Sequence, residues 1–314
     1  MYRKPVIIYN PFAGRVSQSR GLLERTIDIL AAQGIKATPV GTHGPNTAAA
    51  IAKEQIEQGA DLILALGGDG TVNEVANGMV HGDVPLGILP AGTANVLARE
   101  MRSRLELHRI AEDLPGAVPT RVSVGLVKSG DGASRYFLLM AGIGLDAQIV
   151  YDLNPGFKAF AGKLAYYLSG IAQIAKPLAP FRATVDGQSY ETTFALVTNV
   201  RNYGGDFEIA REASLLSDRF EVVLFDAKRS IQYLPYLVGM MLGQVTRLPG
   251  VRSMAARRVT CEPLEAGPVP LQVDGEYCGR LPVSIEIVPE ALTLLLPLRF
   301  LEREQAYVTV SVPA

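Results

Sequence analysis

Residues 67–71 read Gly-Gly-Asp-Gly-Thr and follow the apolar run Asp61–Leu66. Gly67, Gly68 and Gly70 let a backbone turn tightly with no side chain in the way, so its amides can approach an anion. A helix expected to begin near Thr71 aims its unpaired N–H groups and positive dipole end at the same point. The pattern is that of a phosphate cradle, with Asp69 placed to hold magnesium directly or through water. It is neither a Gly-Lys-Ser/Thr loop nor G-x-G-x-x-G. A plain strand-to-helix turn is the competing account, because Thr71 and Glu74 have the T-x-x-E spacing of a capping box. Such a box needs no Gly-Gly-Asp-Gly before it, which favours the phosphate reading.

Two more loops follow apolar runs. Asn10-Pro11-Phe12-Ala13-Gly14 comes after Pro5–Tyr9, and Pro90-Ala91-Gly92-Thr93-Ala94-Asn95 comes after Leu86–Leu89. Singly, Asn10-Pro11 can be a turn former and Thr93 an N-cap. Late in the chain, Asp274-Gly275-Glu276 sets two carboxylates on an expected hairpin. Phosphoryl transfer to an alcohol needs a group that takes the hydroxyl proton and positive charge on the phosphate. Asp131-Gly132 and Asp186-Gly187 are equally good ordinary hairpins, so spacing alone does not choose Glu276 over Gln188.

The elements that must position these residues are legible in outline. Pro5–Tyr9, Ile35–Val40, Asp61–Leu66 and Leu86–Leu89 read as strands. Helical patterns run over Ser17–Gln33, from an Asn46 cap through Ile56, and over Thr93–Glu100. Runs without polar alternation belong in a parallel sheet covered by helices, and the three loops then lie at the carboxyl ends of its strands, where such sheets bind ligands. From about Thr120 the character changes. Arg121–Val127, Arg135–Ala141, Phe181–Val185, Ser189–Thr198, Phe220–Phe225, Val269–Val273 and Val283–Val288 read as strands of a mostly antiparallel β domain. Helices are expected at Lys158–Lys176 and Ser230–Val245. The division is an α/β nucleotide-binding domain over 1–120 and a β-rich substrate domain over 121–291. Residues 292–314, with the run Leu292–Leu296, are an open candidate to return to the first.

Composition narrows the class. Of 314 residues 48% are hydrophobic and the formal net charge is -1, which argues against a dedicated nucleic-acid partner. Two cysteines and three histidines make neither a disulfide framework nor a zinc site. The run Val6–Tyr9 is too short for a signal core, and Ile231–Val245 is shorter than a bilayer span. A cytoplasmic protein is expected.

Taken together, the three loops resemble those of the diacylglycerol kinase catalytic family. Its nucleotide loop matches Gly67–Thr71 and the following Asn-Glu-Val-Ala-Asn-Gly, its N-P-x-[SA]-G matches residues 10–14, and its P-x-G-T-x-N matches residues 90–95. The resemblance continues through Phe137–Val150, Gly162–Ile171, Asn202–Phe225 and Val-Asp-Gly-Glu at 273–276. Departures are Leu139 for a frequent Asn, Arg211 or its neighbour for Pro, and Arg219 for Gly. The resemblance implies an ATP- and magnesium-dependent lipid kinase. The nucleotide would be bound by Asn10, Pro11, Phe12, Ala13, Gly14, Thr42, Gly67, Gly68, Asp69, Gly70, Thr71, Val72, Asn73, Glu74, Gly92, Thr93 and Asn95. It implies Glu276 as proton acceptor, supported by Asp274 and Asp69, and a structural magnesium held through main-chain carbonyls and the aspartate at Leu215, Asp218 and Phe220. A turn entering Phe220–Phe225 accounts for that last segment equally well. The acceptor that the resemblance implies is a lipid met at a membrane surface, with diacylglycerol the default by family breadth only; a homodimer is compatible with this reading. Apolar surfaces near Tyr166, Tyr167 and Leu168, and the helix bearing Tyr233, Leu234, Tyr236, Met240 and Met241, are membrane-contact candidates. Arg247, Arg252, Arg257 and Arg258 are candidates for anionic head groups. A core stripe and a solvated strand face explain the same residues. A kinase of a soluble metabolite such as NAD, and a nucleotide sensor without turnover, are the rival readings.

Overall fold

The computed structural model of the chain describes residues 2–12, 16, 21–101, 103, 105–145, 147, 178–203, 207–227 and 230–311. The chain divides into two compact units, Met1–Ser123 with Pro289–Ala314, and Val124–Val288.

The first unit alternates strands and helices: β1 (Pro5–Tyr9), α1 (Leu22–Ala32), β2 (Thr38–Gly41), α2 (Ala48–Glu57), β3 (Leu62–Gly67), α3 (Asp69–Met79), β4 (Leu86–Pro90), α4 (Val96–Glu100) and α5 (Leu107–Asp113). The strands run parallel in the order β2-β1-β3-β4. β3 and β4 are buried at every position, as strands covered on both faces must be. Ile7, Leu62, Leu64, Leu66 and Leu89 pack with Leu30, Ile110 and Leu114 from the helices, each such side chain contributing about 1.5–3 kcal/mol by leaving water. The helices α2 and α3 approach so closely that a Cβ on Gly78 would lie 2.3 Å from the Ala49 carbonyl oxygen.

Several local expectations are corrected here. The second strand is Thr38–Gly41, not Ile35–Val40, and the first described helix is Leu22–Ala32. Asn46 does not cap α2: it sits at φ 62° and Thr47 holds the N-cap position. The helix α3 starts at Asp69 rather than Thr71, with Gly68 at its N-cap and no side-chain cap. Glu74 caps a different helix, its Oε2 accepting the Ala48 N–H of α2 at 3.2 Å. The capping-box account of Thr71 and Glu74 is therefore not how the loop is built.

The second unit opens within β5 (Val118–Ser129) and continues with β6 (Ser134–Phe137), β7 (Met140–Gly144), β8 (Phe181–Val185), β9 (Gln188–Thr192), β10 (Phe194–Thr198), β11 (Asn202–Tyr203), β12 (Phe207–Glu208) and β13 (Phe220–Phe225). A short helix α6 (Leu234–Met241) precedes β14 (Val251–Ala256), β15 (Arg258–Pro263), β16 (Pro270–Val273), β17 (Glu276–Arg280) and β18 (Val283–Leu296). One antiparallel sheet has the order β14-β13-β10-β7-β16-β17; β8 pairs antiparallel with β9 and β15, and β15 with the first part of β18. Phe137, Phe181, Phe220, Val259, Leu271 and Ile285 belong to one buried core. Two-residue Asp-Gly loops join β8 to β9 and β16 to β17, with Asp186 and Asp274 at φ 45° and 50° and their glycines at 91° and 83°. Both φ values are positive, as type I′ hairpins require.

Three expected strands are drawn differently. Arg135–Ala141 breaks at Leu138-Leu139, Ser189–Thr198 breaks at Thr193, and Val283–Val288 runs unbroken into Leu292–Leu296 as β18. In the first unit the end of β18 lies parallel to β4, Leu294 opposite Leu86, and leads into α7 (Leu298–Ser311). The helix expected over Ser230–Val245 is α only from Leu234 to Met241. The expected helix Lys158–Lys176 lies outside the described residues. Among the described residues no helix is long and apolar enough to cross a membrane.

Candidate active site

In the first unit the parallel sheet delivers three loops to the carboxyl ends of β1, β3 and β4, and backbone bonds tie them to one another. Asn10 N–H donates to the Leu66 carbonyl at 3.3 Å, Ala91 N–H to Gly67 at 2.8 Å, and Thr42 N–H to Tyr9 at 2.9 Å. The glycines here serve close approach rather than left-handed backbone. A Cβ on Gly92 would lie 2.5 Å from the Gly68 Cα, and a Cβ on Gly67 would lie 2.6 Å from the Thr71 Cβ. Only glycine lets the β3 and β4 loops touch backbone to backbone.

Asp69 fastens that contact. Its carboxylate accepts the N–H groups of Val96 at 3.1 Å and Leu97 at 3.2 Å, the first turn of α4. Burial pushes its pKa up, and backbone N–H groups including those of Val96 and Leu97 act against that rise. Asn95 completes the loop from the other side. It is buried at φ 48°, a conformation asparagine tolerates better than most residues, and it holds the N-cap position of α4 without a side-chain cap bond. Its Oδ1 accepts the Gly92 N–H at 2.9 Å and its Nδ2 donates to the Gly92 carbonyl at 2.9 Å. Thr93 lies between these anchors and is exposed. What remains toward solvent at the head of α3 is backbone: the N–H groups of its first turn have no partner within the helix and suit a phosphate.

The other residues expected at the nucleotide fall into distinct places. Asn10 Oδ1 accepts the Phe12 N–H at 2.9 Å, closing a turn through Pro11, and Phe12 stands 77% exposed. Ala13 and Gly14 lie outside the described residues. Thr42, Val72 and Asn73 are buried, Asn73 Oδ1 accepting from Asn77 Nδ2 at 3.2 Å. The side chains of Asn73, Glu74 and Asn95 thus serve the scaffold of the cradle.

In the second unit Asp274 and Glu276 part company. Asp274 is buried, and its carboxylate accepts three consecutive backbone N–H groups, Leu138 at 3.0 Å and Leu139 and Met140 at 2.9 Å each. These bonds explain why the expected strand breaks at Leu138-Leu139. Gln272 Oε1 accepts the Gly275 N–H at 2.7 Å, so the turn is held from both sides. Glu276 stands at the head of β17, half-exposed, and its Oε2 accepts from Arg135 Nη2 at 2.7 Å. Burial works against the Arg135 charge, and Glu276, with Cys278 and Asp274 nearby, more than offsets it, so the Arg135 pKa is raised. Arg135 was missed by sequence reasoning, because 141 residues separate the partners.

In the expected metal loop the Asp218 carboxylate has protein partners. Asp218 is bonded by the Arg257 guanidinium, and Arg219 Nε lies 3.9 Å away. Leu215 and Phe220 are buried. No group of three or more His, Cys, Asp or Glu residues is placed to hold a metal ion among the described residues. A structural dication held there by main-chain carbonyls would have to share the Asp218 carboxylate with two guanidinium groups. A nucleotide-borne magnesium asks less, since it keeps several waters and needs only one or two protein carboxylates; Asp69 retains lone pairs for such a contact.

The membrane-contact candidates also resolve. Tyr233 and Tyr236 are core residues, clustered with Phe194 and Phe225 at ring separations of 4.7–6.0 Å. Among the described residues the large apolar side chains exposed in the α6 region are Val238, Met241 and Leu242. Arg257 bonds Asp218, Arg258 pairs with Glu286 at 3.4 Å and Arg252 lies over the Tyr190 ring at 5.6 Å, so of the four arginines Arg247 is the exposed one with no such contact among the described residues. Tyr166, Tyr167 and Leu168 lie outside the described residues.

Known proteins resemble this chain in sequence and in fold. Residues 4–127 match the model of the diacylglycerol kinase catalytic domain, and residues 140–296 match the YegS C-terminal NAD kinase beta sandwich-like domain. A diacylglycerol kinase of Bacillus subtilis is 30% identical over 283 residues, covering 88% of this chain and 90% of that protein. A diacylglycerol kinase of Staphylococcus saprophyticus is 28% identical over 302 residues, covering 95% and 96%. The crystal structure of a diacylglycerol kinase from Bacillus anthracis superposes with a TM-score of 0.75 at 24% identity, over 95% of this chain and 98% of that one. Both halves of the chain, and nearly the full length of these relatives, are accounted for in this way, and the chain belongs to the diacylglycerol kinase catalytic-domain family.

Proposed function

We propose that this chain transfers the γ-phosphoryl group of ATP to the hydroxyl of a lipid, with diacylglycerol the first acceptor to test. The observation that carries the nucleotide half is the clasp of the β3 and β4 loops. The Gly68–Gly92 contact, the Asp69 carboxylate on α4 and the Asn95 ring around Gly92 hold a rigid backbone cradle at the head of α3. The diacylglycerol kinase names of the Bacillus and Staphylococcus relatives support a lipid acceptor.

Within this reading the roles divide by chemistry. The first-turn amides of α3 bind phosphate oxygens and orient them. Asp69 fixes the loops, and through its remaining lone pairs it is the carboxylate that would hold magnesium; the metal, when bound, would neutralise phosphate charge. Glu276 accepts the hydroxyl proton, since it is the half-exposed carboxylate of the turn, while Asp274 is committed to backbone amides and positions it. Val238, Met241 and Leu242 offer the apolar contact for a transient encounter with the membrane that carries the acceptor.

The test is an assay with magnesium and γ-labelled ATP in mixed micelles of diacylglycerol, sphingosine, ceramide or phosphatidylglycerol, with NAD in a separate reaction. Label in one lipid, abolished by Asp69→Ala and lowered to a measurable residual rate by Glu276→Gln, supports the proposal and names the acceptor. Label in NAD alone replaces the lipid assignment. ATP binding without transfer to any acceptor favours the sensor reading.

A further inference from the structure

The turn that carries Glu276 is gripped twice by one short segment, residues 135–140. The amides of Leu138, Leu139 and Met140 hold the Asp274 carboxylate. Arg135, three residues upstream on β6, reaches Glu276 itself. Arg135 is in turn fixed by its register, opposite Val127 on β5, and Glu276 by its place opposite Val273 across the turn. A glutamate at the head of a hairpin, 48% exposed, would otherwise spread over several rotamers.

We infer that Arg135 is the positioning residue for Glu276, holding its carboxylate in one orientation for the acceptor hydroxyl. This inference rests on the reading of Glu276 as proton acceptor. The chemistry of the pair suits that task. A guanidinium keeps its charge and its protons, so it orients the carboxylate without competing for the hydroxyl proton. The contact uses Oε2 alone, and Oε1 has no other protein partner among the described residues. One oxygen is anchored and the other is left to accept. Lysine would keep the charge but not the planar fork that sets direction.

The experiment is a double-mutant cycle on the full chain in the mixed-micelle assay, using Arg135→Met, Arg135→Lys, Glu276→Gln and Arg135→Met/Glu276→Gln. The acceptor is the lipid that the wild-type chain labels. The expected result is a kcat about tenfold to a hundredfold lower in Arg135→Met, the scale of a misplaced reacting group. KM for ATP stays unchanged, and Arg135→Lys recovers part of the loss. In the Glu276→Gln background Arg135→Met costs nothing more, because there is no base left to position. Thermal unfolding of each variant is recorded alongside. An equal loss in both backgrounds, an unchanged kcat, or a loss that follows the melting temperature and is not recovered by lysine overturns the inference. Wild-type turnover in Glu276→Gln instead overturns the assignment of the base. Absence of turnover with every acceptor fails the kinase reading, and the positioning role falls with it.

Discussion

The backbone contact between Gly68 and Gly92 gives the sharpest prediction. Replacing Gly92 with alanine places a Cβ 2.5 Å from the Gly68 Cα and 3.0 Å from Asn95 Oδ1. Carbon atoms rest at about 3.5–4.0 Å, so the loops must part by about 1 Å. No flexible side chain can rotate away, because the obstacle is backbone. Overpacking of this kind costs about 1–3 kcal/mol. The separation also moves the cradle amides away from any phosphate, and a 1 Å misplacement costs up to about a hundredfold. Gly92→Ala is therefore expected to weaken ATP binding at least tenfold, about 1.4 kcal/mol, and to lower the melting temperature. Gly68→Ala meets the Gly92 Cα at 3.3 Å, so its effect is smaller. Gly116→Ala meets nothing within 4 Å and is the neutral control. Titration calorimetry with ATP and thermal unfolding of the three variants check the ranking. Gly92→Ala with wild-type affinity and stability would refute the claim that these loops form one rigid unit.

Other predictions follow from single contacts. Asp69 and Glu221 both have pKa values raised chiefly by burial. A raised acid favours the protonated native state, so their contribution is fullest below the ordinary carboxylate values of 3.8 and 4.5. It is lost as pH rises through the raised ones. Denaturant unfolding between pH 4 and 7 should show Asp69→Asn and Glu221→Gln losing less stability over that rise than wild type; parallel curves would contradict this. With Arg257 on Asp218, chelation by EDTA should leave the melting temperature unchanged, whereas a drop restored by magnesium would place a structural metal in the fold. Met241→Ser/Leu242→Ser should bind diacylglycerol-containing vesicles several-fold more weakly in flotation assays while ATP affinity stays as it was, since each exposed apolar side chain adds its buried area to the membrane contact.

The sequence by itself determined the fold class and the family. Pro5–Tyr9, Asp61–Leu66 and Leu86–Leu89 lack polar alternation, and only a parallel sheet covered on both faces accepts such runs. Asp186-Gly187 and Asp274-Gly275 announced hairpins because two successive positive φ values demand those residues. The motifs around Gly67–Thr71 and Pro90–Asn95 were visible because each is contiguous. What each residue does inside a motif was not visible. The carboxylate of Asp69 meets α4 at a separation of 27 and 28 residues, Glu74 caps α2 at 26, and Arg135 reaches Glu276 across 141. Periodicity reports neighbours within a turn of helix or along one strand. It carries no signal for partners brought together by sheet order and register. The same limit explains Tyr233 and Tyr236, whose helical spacing favours a core stripe but also fits a lipid-facing one. Only the packing of α6 against Phe194 and Phe225 turned both inward and left Val238, Met241 and Leu242 outside.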